Sequence, residues 1–168
     1  MKKYVKQILI VGMLAILLAT AYGVQTARIT ARADAQTVKA WIMCAPGSYV
    51  NCRPGPSRKG DSLGMLETGY QLEIDGQVKN GFAHCHVSLE RDQGWVHAGY
   101  IVFEEPKWID KDMTITTDSR VAVRNHKNGE RNAWLRSGDP VHVYWKADGW
   151  AITNRGWVQT QYITELID

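Results

Sequence analysis

Several features that mark common protein classes are scarce in this sequence of 168 residues. It has only two Phe, five Pro and three Cys. Three cysteines allow at most one intramolecular disulfide. Asp and Glu are scattered, without the placed pair that glycoside hydrolysis needs. No segment is typical of the helix that carries the nucleophile of a cysteine peptidase. We therefore predict that the protein is not an enzyme and uses no cofactor.

An excess of positive charge is also missing from most of the chain. The formal net charge is +3, but the first 33 residues contain five basic residues and no acidic one. The remaining residues carry 15 basic and 17 acidic side chains. A nearly neutral folded part lacks the basic surface that nucleic-acid binding requires. We expect no nucleic-acid partner.

The one long apolar run lies at the N-terminus. Three lysines precede residues 8–24, ILIVGMLAILLATAYGV, which are 17 residues without a charge. This order is typical of an export signal, and Ala19-Thr20-Ala21 offers a cleavage site. Seventeen residues also reach the lower limit for spanning a bilayer, so an uncleaved anchor is the alternative.

Both interpretations of the N-terminus place the remainder of the chain outside the cytoplasm, because the lysines stay inside. We predict that residues 1–33 form a hydrophobic signal or anchor helix with a tether. The protein is then extracellular, associated with the cell wall, or anchored at the outer face of the cytoplasmic membrane. Any membrane contact is through the N-terminal segment alone.

One phrase occurs twice in the chain. GWVHAGYI covers residues 94–101 and GWVQTQYI covers residues 156–163. The match extends backwards through VNCRPGPS and VAVRNHKN, then LETG and LRSG, then NGF and DGW. The offset between copies changes only between these segments, from 71 to 69, 68 and 62. Length changes confined to loops are typical of an internal duplication.

Each repeated segment has the pattern of a short strand. Leu72 and Ile74 alternate with polar residues, as do Val141 and Val143, and glycine-containing turns separate the segments. Five short strands in about 60 residues, without helical periodicity, predict a small β-barrel. The fold class is therefore all-β, with two tandem barrels.

The order of these motifs resembles the bacterial SH3-type (SH3b) domain. That family opens with V-x-V-R-x-G-P-S, continues with L-x-x-G and a G-W strand, and closes with G-W-V-x-x-x-Y-I. The resemblance implies two tandem SH3-like barrels at residues 41–104 and 114–168, joined by a linker at 105–113. The first copy has Phe82 in place of the usual Trp, and the second has Asn125-His126-Lys127-Asn128 in place of the Gly-Pro-Ser turn.

The resemblance also implies a ligand groove between the long loop and the closing strands. Each copy has such a groove: by position its residues are Tyr49, Arg53 and Trp95 in the first copy, and Arg124, Trp134 and Trp157 in the second. Aromatic faces of this kind stack on sugars and short peptides. The alternative for each residue is ordinary packing in or around a barrel.

The three cysteines outside the signal are Cys44, Cys52 and Cys85. Cys52 and Cys85 occupy inward strand positions, so they are the candidate disulfide. Two buried free thiols, or pairing through Cys44, are the alternatives. His84 and His86 flank Cys85 but face the opposite side of the strand, which argues against a zinc site. We predict no metal.

Two functions fit this sequence. The first is a monomeric, non-catalytic exported module that binds peptidoglycan or another cell-envelope polymer. The second is a membrane-anchored subunit that binds another protein within an envelope or transfer assembly. A hydrolase domain that would usually accompany such modules is not evident in the sequence.

Overall fold

A computed structural model describes residues 37–88 and 92–165. The predicted signal or anchor, residues 1–33, lies outside the described residues. Within them, strands dominate and no helix has the length and apolar character needed to cross a membrane. Below, the first half means the described residues up to 104, and the second half means residues 105–165.

Each half contains seven strands. The first half has β1 (Val38–Ile42), β2 (Val50–Cys52), β3 (Gly64–Leu66), β4 (Gln71–Lys79), β5 (Phe82–His86), β6 (Gln93–His97) and β7 (Ile101–Val102). The second has β8 (Lys107–Ile115), β9 (Arg120–Arg124), β10 (Arg131–Arg136), β11 (Pro140–Ala147), β12 (Trp150–Thr153), β13 (Gly156–Gln159) and β14 (Ile163–Glu165). A short 3-10 turn, Ala98–Tyr100 or Thr160–Tyr162, precedes the last strand of each half.

The two halves share one strand order, and their sheets curl into half-barrels. The second half is a single sheet ordered β10-β9-β13-β12-β11-β8-β14. The first half is a sheet ordered β6-β5-β4-β1-β7, with the hairpin β2-β3 attached to β6 by the bridge between Arg53 and Trp95. Through that bridge, its order becomes the equivalent β3-β2-β6-β5-β4-β1-β7.

The strand registers pair equivalent residues in the two halves. Val50 lies opposite Leu66, and Val121 lies opposite Leu135. Arg53 lies opposite Trp95, and Arg124 lies opposite Trp157. These are the residues that the sequence alignment matches, so the repeated phrases occupy the same place in each sheet.

The strand count and the linker differ from the sequence-based expectation. Each half has seven strands instead of five, because β1 and β7, and likewise β8 and β14, flank the predicted set. β1 begins at Val38, before the predicted start at residue 41, and β8 occupies most of the predicted linker 105–113. The first positions of β8 are largely exposed, and their charged side chains face solvent. This part of the segment therefore lacks the alternation of polar and apolar residues that predicts a strand. Pairing with β11 and β14 on its two sides makes this segment a strand.

Each half has its own hydrophobic core, and a third cluster joins the halves. β1 and the residue after it supply two cores at once. Ala40 and Ile42 face the first core, whereas Trp41 and Met43 face the third cluster. β12 is two-faced in the same way, with Ala151 in the second core and Ile152 in the third cluster. The period of two along a strand explains this division.

A buried ion pair lies beside the apolar junction. Lys127 Nζ is 2.5 Å from Asp148 Oδ2, and their side chains are only 4% and 8% exposed. The Asp148 carboxylate also accepts hydrogen bonds from the backbone N–H groups of Phe103 and Glu104, at 3.0–3.1 Å. Lys127 Nζ donates to the carbonyl of Ile101 at 3.2 Å. Lys127 and Asp148 of the second half therefore bind the backbone at the end of the first half.

Gly94→Ala tests the close approach of β6 to β2. A Cβ at Gly94 would overlap Cys52 Sγ and lie 3.2 Å from the Arg53 carbonyl oxygen. We expect the free energy of unfolding in urea to fall by about 1–3 kcal/mol, the usual cost of overpacking. Gly55→Ala is the matched control, since a Cβ there meets nothing within 4 Å. Equal stability of the two variants would contradict the close approach.

Asp148→Asn tests the buried ion pair. Asparagine tolerates the left-handed backbone at this position, where φ is 51°. It removes the negative charge that Asp148 places beside the buried Lys127 ammonium, so we expect a loss of about 3–5 kcal/mol in the free energy of unfolding. Glu165→Gln is the control, because its partner Lys111 lies 3.0 Å away in an exposed pair. Such pairs contribute less than about 1 kcal/mol, so similar losses in both variants would refute the assignment.

Candidate functional site

The cleft between the halves is the candidate site. It consists of two neighbouring cavities of about 300 and 390 Å³ that share Tyr49, Tyr100 and Asn125. The smaller one, called here the basic cavity, is lined by Tyr49, Val50, Asn51, Arg53, Arg58, Phe82, His97, Tyr100, Asn125 and His126. The larger one, called the tryptophan cavity, is lined by Cys44, Ala45, Ser48, Tyr49, Tyr100, Arg124, Asn125, Asn132, Ile152, Thr153, Gly156 and Trp157. Both halves contribute walls to each cavity.

A tight backbone approach builds the floor of the cleft. The 3-10 turn of the first half starts where the Gly99 N–H donates to His97 Nδ1 at 3.2 Å. Gly99 carries no Cβ, and one built there would overlap the His126 ring. The Lys127 N–H then reaches the Gly99 carbonyl at 3.1 Å. The missing side chain at Gly99 therefore brings His126 against the first half.

Five aromatic rings form a continuous series of ring contacts at this point. The His97 ring centroid is 4.6 Å from that of His126 and 5.3 Å from that of Phe82. The Tyr100 ring is 5.5 Å from His126 and 6.4 Å from Trp157. Tyr100 thus connects the basic cavity to the apolar junction. These edge-to-face contacts fix the cavity walls.

The basic cavity carries its positive charge on arginines at neutral pH. Burial, together with the nearby His126 and Arg58, lowers the pKa of His97 to about 4. Burial also lowers the pKa of His126. Both imidazoles are therefore neutral near pH 7. Arg53 and Arg58 supply the charge, and no carboxylate is among the described residues that line this cavity.

The hydrogen bonds of His97 compete with one another. The Gly99 N–H points at Nδ1, and Arg58 Nη2 lies 3.3 Å from Nε2. Arginine can only donate, whereas a neutral imidazole has a single acceptor nitrogen. Either tautomer leaves one of the two contacts unsatisfied. A further proton on His97 would leave the ring with no acceptor for either contact.

Arg53 and Arg124 hold the loops that follow their strands. Arg53 Nη1 donates to the Gly60 carbonyl at 2.5 Å, and Arg124 Nη1 donates to the Gly129 carbonyl at 2.6 Å. The two arginines are therefore equivalent in side-chain contact as well as in register. Both line the cleft, Arg53 in the basic cavity and Arg124 in the tryptophan cavity.

The remaining sequence-predicted residues divide between the cleft and other surfaces. Tyr49 is 55% exposed and lines both cavities. Trp157 lines the tryptophan cavity but is only 3% exposed, because it packs in the junction cluster. Trp95 lines neither cavity, and its ring lies 5.0 Å from His84. Trp134 also lines neither, and the Arg131 guanidinium lies 4.5 Å from its ring.

The lining residues that sequence reasoning missed include Arg58, His97, Tyr100, Asn125 and His126. Two signals were present. Asn125 and His126 belong to the segment of the second copy that replaces the Gly-Pro-Ser turn of the first copy. His97 and Tyr100 lie within the repeated GWVHAGYI phrase. Their shared position requires the docking of the halves, which the sequence does not encode locally.

The cysteines lie in or beside the cores. Cys52 and Cys85 are fully buried with free thiols that interact with each other. That contact lowers the pKa of Cys52 and raises the pKa of Cys85. The disulfide between them stays a prediction. Cys44 borders the tryptophan cavity, and burial raises its pKa.

No protein-family model matches the chain, and no curated protein does. Among solved structures, it is similar to NlpC1 from Trichomonas vaginalis, with 17% identity and a TM-score of 0.34 over 79% of this chain and 48% of that one. NlpC2 from the same organism gives 15% identity and a TM-score of 0.34 over 79% and 51%. The chain therefore spans about half the length of these two proteins.

The His97 pKa predicts how stability depends on pH. Because its pKa is lowered to about 4 in the folded protein, the unfolded chain binds more protons between about pH 6.5 and 4. The free energy of unfolding should therefore decrease as the pH falls from about 6.5 to 4. His97→Asn keeps an acceptor for the Gly99 N–H and should reduce that fall, as measured by urea titrations at several pH values.

His142 provides the matched control. Hydrogen bonds to Asp112 and Asp110 raise the pKa of His142, so its contribution is present below about pH 6.5 and is lost as pH rises through the raised pKa. His142→Asn should therefore make the loss of stability on acidification larger, not smaller. The same response in both variants would contradict the electrostatics of the basic cavity.

Proposed function

We propose that the chain is a non-catalytic, exported binding protein built from two tandem SH3-like barrels. It holds a segment of peptidoglycan or a related cell-envelope polymer in the cleft between its halves. The common strand order and the ordered SH3b-like motifs support the fold assignment. The cleft itself, with an exposed tyrosine at both cavities, carries the functional assignment.

Tyr49 has the properties of a contact residue. Its ring is 55% exposed although it stands between two cavities with polar walls. A large amphipathic ring in that position stabilises a bound ligand by stacking on a sugar face or a peptide stem. Asn51, Asn125 and Asn132 in the cavity walls add amide donors and acceptors beside it.

The cleft is a composite site. Tyr49 comes from the first half, whereas Asn125 comes from the second. A ligand in this position contacts both halves at once, so the duplicated fold acts as one binding unit. In this proposal one composite cleft takes the place of a separate groove in each barrel, because residues of both halves line the same cavities.

A second candidate function is binding of a protein partner. The second half carries an aromatic strip in which Trp108 is 51% exposed and stacks at 6.3 Å on Tyr144, which packs against the third cluster. Trp145 lies 4.7 Å from Trp108 in an edge-on contact. This strip is separate from the cleft and suits a subunit in an envelope assembly.

Cosedimentation of the purified full chain with peptidoglycan sacculi tests the proposal. Tyr49→Ala should weaken binding about tenfold, which corresponds to about 1.4 kcal/mol and is typical of one lost aromatic contact. Tyr49→Phe keeps the ring and should retain most of the affinity. Trp134→Ala is the control, because its exposed ring lies outside both cavities.

The outcomes separate the candidate functions. Loss of binding in Tyr49→Ala alone supports the cleft. Loss in Trp134→Ala with Tyr49→Ala unaffected would overturn it. If the wild-type chain stays in the supernatant and Trp108→Ala abolishes capture of an envelope protein, the second function replaces the first.

A further inference from the structure

The basic cavity has an unusual charge composition. Arg53 and Arg58 line it together with His97 and His126, and no Asp or Glu is among its described lining residues. Elsewhere in the described chain, buried or clustered charges are paired. Lys127 binds Asp148, and His142 lies between two aspartates. The basic cavity thus concentrates cationic donors at one point.

Arg53 and Arg58 have no carboxylate within ion-pair distance among the described residues. A guanidinium offers five N–H donors. Among the described residues, one nitrogen of Arg53 donates to the Gly60 carbonyl, and one nitrogen of Arg58 lies within hydrogen-bond distance of His97. Most of the donor capacity of both side chains is available to a ligand.

The Arg58 guanidinium can also exchange its hydrogen-bond partner at little cost. Its contact with His97 Nε2 competes with the Gly99 N–H for the single acceptor of a neutral imidazole. Moving the guanidinium onto a stronger acceptor relieves that conflict. Charge-assisted bonds from arginine to carboxylate or phosphate are shorter and about twice as strong as neutral ones.

We propose that the basic cavity binds an oxyanion, a carboxylate or phosphate, on the polymer held in the cleft. Arg58 and Arg53 donate hydrogen bonds to the anion, while Tyr49 and Tyr100 pack against the group that bears it. A cavity of about 300 Å³ is at the small end of ligand sites and suits one sugar or one amino-acid unit. The inference rests on the proposed function for the polymer, but the anion site is testable by itself.

Calorimetric titration of the purified full chain tests the site with three small probes. These are inorganic phosphate, an N-acetylated alanine dipeptide with a free carboxylate, and the same dipeptide as its carboxamide. At least one anionic probe should bind, and the carboxamide should bind at least tenfold more weakly than the free acid or not at all. Binding of phosphate alone assigns the site to a phosphate group, and binding of the free acid alone assigns it to a carboxylate.

Variants locate the binding. Arg58→Gln should weaken the anionic probe at least fivefold, and Arg58→Lys should keep part of the affinity, because a point charge replaces the bidentate fork. Arg58 lies on an exposed loop, so folding is preserved in both. Arg131→Gln is the matched control, since Arg131 lies against Trp134 outside the cleft.

Three results would overturn the inference: no binding of either anion, measurable binding of the acid and the carboxamide with the same affinity, or equal losses in Arg58→Gln and Arg131→Gln. The proposed function and the anion site can be contradicted independently of each other. A chain that binds the probe through Arg58 but does not sediment with sacculi retains the anion site and loses the polymer. A chain that sediments but binds neither anion retains the polymer and loses the anion site.

Discussion

The contact between the two halves is the constraint on which the rest of the structure depends. Apolar side chains form the third cluster there, and the Lys127–Asp148 pair lies beside it. Desolvating two charges offsets much of their attraction, so the pair adds little net stability. Its carboxylate also accepts the Phe103 and Glu104 N–H groups. We interpret it as the element that fixes how the halves dock, because a misplaced pair would leave a buried charge.

The cleft follows from that docking. Tyr100 packs against the first core and the junction cluster and also lines both cavities. Gly99 lets His126 approach the same turn. Residues that stabilise the junction and residues that face a ligand are therefore neighbours in the chain and in space. A change in docking would alter the site directly, whereas a change within either core would reach it only through these contacts.

Local pattern was enough to predict the repeated strands of each half and their equivalence. The alternation at Leu72 and Ile74 and the phrase around Trp95 and Trp157 gave the β class and the matching registers. The pattern at β8 misled, because its charges face solvent while its pairing with β11 and β14 makes it a strand. Tyr49, Arg53 and Arg124 were predicted as binding residues and do line the cleft.

The junction could not be predicted in the same way. Trp41 and Met43 give β1 a second apolar face, but alternation does not say what covers it. The role of His126 depends on a contact between segments 27 residues apart, through Gly99. Long-range docking of this kind is decided by complementary surfaces and not by periodicity.

Amide hydrogen exchange at the junction tests the central claim most directly. The Phe103 N–H donates to Asp148, and the Lys127 N–H donates to Gly99, so both bonds cross from one half to the other. If the halves are docked as described, these two amides should exchange as slowly as core-strand amides such as that of Ile152, and only through global unfolding. Exchange at rates typical of exposed loops would show that the halves separate, and the composite cleft would not exist.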